Sequence, residues 1–110
     1  MSEAEVLESL QKMSEKFKTE KNQKRFRKWN KTLAFSFTDL EKTYTITVNA
    51  GVPSEPEEME PEKADIWVTI DSATWIGIMD GNISAMNAYT KGQIKIKGKM
   101  PDLLKMQKLM

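Results

Sequence analysis

The stretch Asn87-Ala88-Tyr89-Thr90-Lys91-Gly92-Gln93-Ile94-Lys95-Ile96-Lys97-Gly98 runs into Met100-Pro101-Asp102-Leu103-Leu104-Lys105-Met106-Gln107-Lys108-Leu109-Met110, and its reading decides the fold. Ile94 and Ile96 alternate with Gln93, Lys95 and Lys97, the period-two pattern of a strand with one apolar face. Gly92 and Gly98 bracket that strand. Pro101 suits the first turn of a helix. Met100, Leu103, Leu104, Gln107 and Met110 recur at spacings of three and four, which predicts one apolar face on that helix. A half-wetted strand beside a one-faced helix requires layers, with helices covering one side of a sheet.

The upstream sequence repeats the pattern. Leu33, Phe35 and Phe37 alternate with small or polar residues, and Tyr44, Ile46 and Val48 alternate with threonines. The polar turn from Asp39 to Lys42 joins these two strands as a hairpin. Ile66, Val68 and Ile70 mark a third strand. Asp71 or Ser72 can cap a helix over residues 73–80, with Gly81 as its stop. Asn82 can open another helix that ends at Gly92. At the other end, Ser2 and Glu5 have capping-box spacing, and Val6, Leu7, Leu10, Met13 and Phe17 form a helical stripe. The stretch from Lys21 to Lys31 carries only Phe26 and Trp29 as apolar residues and reads as a short helix or an ordered loop. Pro53, Pro56 and Pro61 make residues 53–62 a surface loop, because proline is excluded from a central strand. Helices at both ends and between the third and last strands give an α+β fold with one sheet and one helical layer.

A chain of 110 residues makes one domain, taken as residues 1–110. Hydrophobic residues make up 39% and charged residues 30%, which suits a globular protein. No apolar run approaches the ~18 residues of a membrane-spanning helix. The charged N-terminus does not read as a secretory signal. Cysteine is absent, so no disulfide framework supports an extracellular home, and a cytoplasmic one is expected. With neither His nor Cys, soft-metal sites and Ser-His or Cys-His nucleophile pairs cannot be built. No glycine-rich phosphate loop is present, and no cofactor or metal is expected. The acids are mostly placed where solvation explains them, so no enzyme is expected.

The net charge of +1 conceals segregation. Residues 12–31 hold nine basic residues against Glu15 and Glu20, and residues 53–62 hold five glutamates. Lys24, Arg25, Arg27, Lys28 and Trp29 are the candidate contacts for an anionic membrane surface, since each basic residue there adds about 1 kcal/mol. A solvated face explains the same charges. No nucleic-acid motif accompanies them. Trp67, on the polar face of its strand, suits cross-strand pairing or a dimer contact.

Five of the eight methionines fall in the last 32 residues. Methionine adapts to irregular apolar surfaces, so the pattern fits either a deformable cavity wall or ordinary core packing. The candidate lining is Trp75, Ile78, Met79, Met86, Tyr89, Met100, Leu103, Leu104, Met106 and Gln107. Gln107 is the polar member, and a buried amide must find a partner or lose roughly 1–3 kcal/mol.

From Ala64 to the end the chain resembles the type-two sterol carrier proteins. The matching pieces are Ala64-Asp65-Ile66 opening a strand that ends at Asp71, then Trp75 to Gly81, then Asn87-Ala88-Tyr89 before Lys91-Gly92. The strand Gln93 to Lys97 with Gly98 follows, and finally Leu103-Leu104-Lys105-Met106-Gln107. Their order and spacing carry the likeness more than any single piece, and the N-terminal helix, hairpin and loop agree with the family's layout. The resemblance implies a single, mostly antiparallel five-stranded sheet covered on one face by helices, with an apolar tunnel between the layers. It implies non-covalent binding of fatty acid, fatty acyl-CoA, sterol or phospholipid. The family's peroxisomal Ser-Lys-Leu-type ending is not matched by Lys108-Leu109-Met110. The expected partners are a lipid ligand and an anionic membrane touched peripherally, with no nucleic acid, in a monomer or weak homodimer. The alternative is a solid-cored protein-interaction module that uses the basic N-terminal face.

Overall fold

A computed structural model describes residues 3–109, leaving out the side chain of Gln107. The helices are α1 (Glu3–Lys16), α2 (Glu20–Phe26), α3 (Ser72–Met79), α4 (Ala85–Thr90) and α5 (Met100–Met106), the last continued by a 3₁₀ turn at Gln107–Leu109. The strands are β1 (Lys31–Phe37), β2 (Lys42–Asn49), β3 (Val52–Pro53), β4 (Glu57–Glu58), β5 (Ile66–Ile70) and β6 (Ile94–Gly98).

The sheet runs in the order β3-β2-β1-β5-β6, with β4 also on β2. It is antiparallel except where β1 meets β5, which sets Leu33 beside Ile66 and Phe37 beside Ile70. The expected count of five strands becomes six, because the proline-rich loop contributes two. Both are two residues long and lie on the outer edge of β2, where proline's missing N–H costs no ladder bond. The loop then crosses the sheet, with Thr45 Oγ1 donating to the Met59 carbonyl at 2.9 Å. It arrives beside β1, where the Asp65 N–H donates to the Thr32 carbonyl.

Period-two alternation puts Leu33, Phe35, Phe37, Tyr44, Ile46, Val48, Ile66, Val68 and Ile70 on one buried face. Val6, Leu10 and Met13 of α1 meet them, as the helical stripe predicts. The second face holds Ser36, Thr43 and Trp67. Trp67 Nε1 donates to Ser36 Oγ at 2.8 Å, so this indole is tied to its own sheet.

Helix starts follow local chemistry. Asp71 caps α3 by accepting from the Thr74 N–H at 3.0 Å. Asp39, from the β1–β2 turn, adds a second cap by accepting from the Ser72 N–H and hydroxyl. These bonds, the hydroxyl's first, hold the Asp39 carboxyl below its usual range. Gly81, at φ +82°, ends α3. The next helix begins later than the sequence suggests. Ser84, not Asn82, is its cap, accepting from the Asn87 N–H at 3.3 Å. Asn82 and Ile83 instead give their N–H groups to the Gly77 carbonyl and finish the preceding helix. Thr19 caps α2, which settles the Lys21–Lys31 stretch as a helix with a short tail.

A polar cluster locks α1 to the sheet. Glu3 accepts from Lys42 Nζ at 2.8 Å and from Tyr44 Oη at 2.6 Å. Lys42 also pairs with Glu58 at 2.9 Å. Glu3 is lowered from its ordinary value, first by Lys42 and then by Tyr44. Lys42 is raised by Glu3 and Glu58. Tyr44 is raised by burial and by Glu3.

Candidate functional site

The apolar core between helices and sheet is the most hydrophobic part of the fold. Trp75 lies at its centre, fully buried, with its ring 5.3 Å from Phe35 and 6.2 Å from Phe37. The indole needs a partner when buried. Its Nε1 donates to Ser9 Oγ at 2.8 Å, and Ser9 donates to the Val6 carbonyl at 2.6 Å. Sequence reading missed this link, because a serine within a helical stripe carries no signal until the facing helix is known. Ile78, Met106 and Leu109 are buried in the same cluster, and Met79 and Leu103 are half-buried at its margin.

The remaining predicted lining lies elsewhere. Met86 and Tyr89 on α4, and Met100 and Leu104 on α5, are exposed. On α4 the buried residue is Ala88. Among the described side chains of the C-terminal segment, Asp102, Met106 and Leu109 are buried, whereas Met100 and Leu104 of the expected stripe are exposed. The reason is Asp102. Its carboxylate accepts from Trp29 Nε1 at 3.4 Å and pairs with Lys31 at 3.2 Å. These bonds turn Asp102 inward, and Met100 and Leu104 outward. The signal in the sequence was that Asp102 is the sole acid after Asp80. The side chain of Gln107 lies outside the described residues.

The predicted anion-contact set divides. Lys24, Arg27 and Lys28 are exposed, and Arg25 is half-buried, donating to Asn22 Oδ1 at 3.0 Å. Trp29 corrects the expectation. It is buried against Phe17 and Phe26, with the Phe26 ring centroid at 5.1 Å. An indole held there serves the core and does not reach a membrane interface.

Two surface recesses accompany this core. One of about 250 Å³ lies between α1 and α3, floored by Ile76 and Met79 and ringed by Glu5, Glu8, Ser9, Lys12, Lys16 and Asp80. Ligand pockets usually exceed ~300 Å³ and are mostly apolar, so this one is small and highly charged for a lipid. A wide depression along α2 is lined by Glu20, Lys21, Lys24 and Arg25, all from one helix, so it cannot enclose a ligand. Among the described residues, no group of three or more potential metal-ligating side chains converges.

α1 and α3 pack along one another, and the C-terminal segment sends Met106 and Leu109 into the core cluster, with Leu103 packed against its margin. Asp102, through Trp29 Nε1, and Lys105 Nζ, donating to the Arg25 carbonyl at 3.1 Å, add polar fastenings to those apolar ones.

A layered α+β core closed by a C-terminal helix fits one family, whose sequence model, described as the SCP-2 sterol transfer family, matches residues 10–110. The chain belongs to that family. The sterol carrier protein domain 2 of Helicoverpa armigera superposes with a TM-score of 0.74 at 19% identity, covering 96% of this chain and 84% of that one. Palmitated SCP2L2 from Aedes aegypti superposes with a TM-score of 0.73 at 12% identity, covering 99% and 95%. These two likenesses concern the fold. A linear primary-alkylsulfatase from Pseudomonas sp. is 36% identical over 76 residues, 66% of this chain. This chain spans only 11% of that enzyme's length. Family membership carries lipid and sterol binding and transfer as the general role. Within the described residues, no helix is long and apolar enough to cross a membrane.

Proposed function

We propose that this member of the family carries a lipid with a linear alkyl or acyl chain, non-covalently, between the helical layer and the sheet. The carrying observation is the apolar core between the layers around Trp75, Ile78 and Met106, one wall of which is the C-terminal segment. Each buried methylene contributes about 0.8 kcal/mol, so a long chain can displace α5 without any directional contact. Two relatives favour a linear chain over a sterol. One structural neighbour is palmitated, and the similar Pseudomonas enzyme is named for a linear primary alkyl sulfate. Fatty acid and fatty acyl-CoA are thus the leading ligands, with Gln107 as the proposed contact of the polar end. Lys24, Arg25, Arg27 and Lys28 would attract a phosphate or an anionic membrane.

The role is that of a carrier, not a catalyst. Asp102 is the buried carboxylate among the described residues, and Trp29 and Lys31 already engage it. In the enzyme relative, the matching segment is a small part of a much longer protein. Titration with a fluorescent fatty acid, followed by displacement with palmitate and palmitoyl-CoA, tests the reading. Saturation at one chain per protein is expected. Failure of every alkyl ligand to bind would leave the second reading, a solid-cored interaction module, which the close packing around Trp75 also suits.

A further inference from the structure

We propose that α5 docks this protein on an anionic lipid surface, with Met100 and Leu104 inserted and a ring of basic side chains on the headgroups. The proposal rests on the carrier reading for its purpose, since a lipid carrier must meet a membrane.

Met100 is 65% exposed and Leu104 55% exposed. Four residues apart on one helix, they project from the same face. Lys99, Lys105 and Lys108 are exposed around them. After Asp80 the chain has six lysines and only one acid, Asp102, and that acid is buried against Trp29 and Lys31. The charge left on the surface of residues 81–109 is therefore wholly positive.

The fold then joins this segment to a second basic one. Lys105 donates to the Arg25 carbonyl from 80 residues away in sequence, and its Nζ lies 5.9 Å from the Phe26 ring centroid. That contact brings α5 alongside the helix bearing Lys24 and Arg25, with Arg27 and Lys28 just beyond. An anionic surface attracts this joined basic patch and turns it forward.

A lipid surface fits better than an acidic protein. Apolar side chains standing out from a helix need a matching groove on a protein, whereas a fluid interface accepts them in any register. Lysine stems lie along such an interface while their ammonium groups stay in water.

Co-sedimentation with phosphatidylcholine vesicles, with and without phosphatidylserine, tests this. The wild-type protein is expected to sediment only with the phosphatidylserine vesicles and to be released by salt. Leu104→Gln and Met100→Gln should each weaken that binding about tenfold, by removing inserted apolar surface. Lys108→Gln should weaken it and flatten its salt dependence. Met86→Gln, an equally exposed change on α4, should leave it unaltered. The proposal is overturned if the wild type ignores phosphatidylserine vesicles, if Leu104→Gln binds like wild type, or if Met86→Gln loses as much. Capture by poly-glutamate without vesicle binding would reassign the surface to an acidic protein and overturn it too. Mass measurement of bound lipid in the same samples separates the two readings. A lipid-free protein that docks fails only as a carrier, and a lipid-loaded protein that does not dock fails only here.

Discussion

Asp102 joins the two ends of the chain through Trp29 and Lys31. Removing it leaves a buried indole N–H and a poorly exposed ammonium without their partner. Asp102→Ala should therefore cost about 2–3 kcal/mol in urea denaturation. It should also loosen the terminal segment, read as faster amide exchange in residues 100–109. Unchanged exchange there would show that Met106 and Leu109 alone secure it. Gly51 presents a second single-residue constraint. Its φ of +78° and a Cβ position 2.6 Å from the Phe26 carbonyl oxygen exclude any side chain. Gly51→Ala should destabilise by about 1–3 kcal/mol, and a neutral result would contradict the close approach of that turn to the end of α2.

At the scale of elements, the cap of α3 and the α1–sheet cluster make stability depend on pH at both ends. Asp39 and Glu3 have lowered carboxyl values. Their contribution is present above the unfolded value near 4 and is lost as pH falls through the folded value. Lys42 and Tyr44 are raised. Their contribution is present below about 10 and disappears as pH rises. The denaturation midpoint should be flat from about pH 5 to about pH 9 and fall on either side. In Asp39→Asn combined with Glu3→Gln, the acid fall should be shallower; an identical acid limb would rule those two groups out as its source. The strands were legible beforehand because alternation such as Leu33-Ala34-Phe35-Ser36-Phe37 states which side is buried. The buried face of α5 was not legible. Spacing alone ranks Met100 and Leu104 above Asp102, and only the approach of Trp29 and Lys31 from the other end of the chain reverses that order. The misplacement of Trp29 has the same origin. A tryptophan among lysines looks like an interface residue until Phe17 and Phe26 are seen to enclose it.

Across the whole molecule, the proposed carrier and docking roles make one cycle, in which an anionic surface would orient the protein, α5 would engage it, and a chain would pass between lipid and the apolar layer around Trp75. Stability and loading should be coupled, because a ligand that binds only the folded state stabilises by RT ln(1 + [L]/Kd). Palmitate should raise the melting temperature in proportion to the logarithm of its free concentration above Kd, and a flat response would argue against an interlayer site. The most direct test of the central claim is native mass spectrometry of the purified protein. The expected result is a population heavier than the 12.6 kDa chain by the mass of one fatty acid, acyl-CoA or related linear-chain lipid, with loss of that mass on delipidation. A protein that carries no lipid as purified, and takes up none when palmitate or palmitoyl-CoA is supplied, would contradict it.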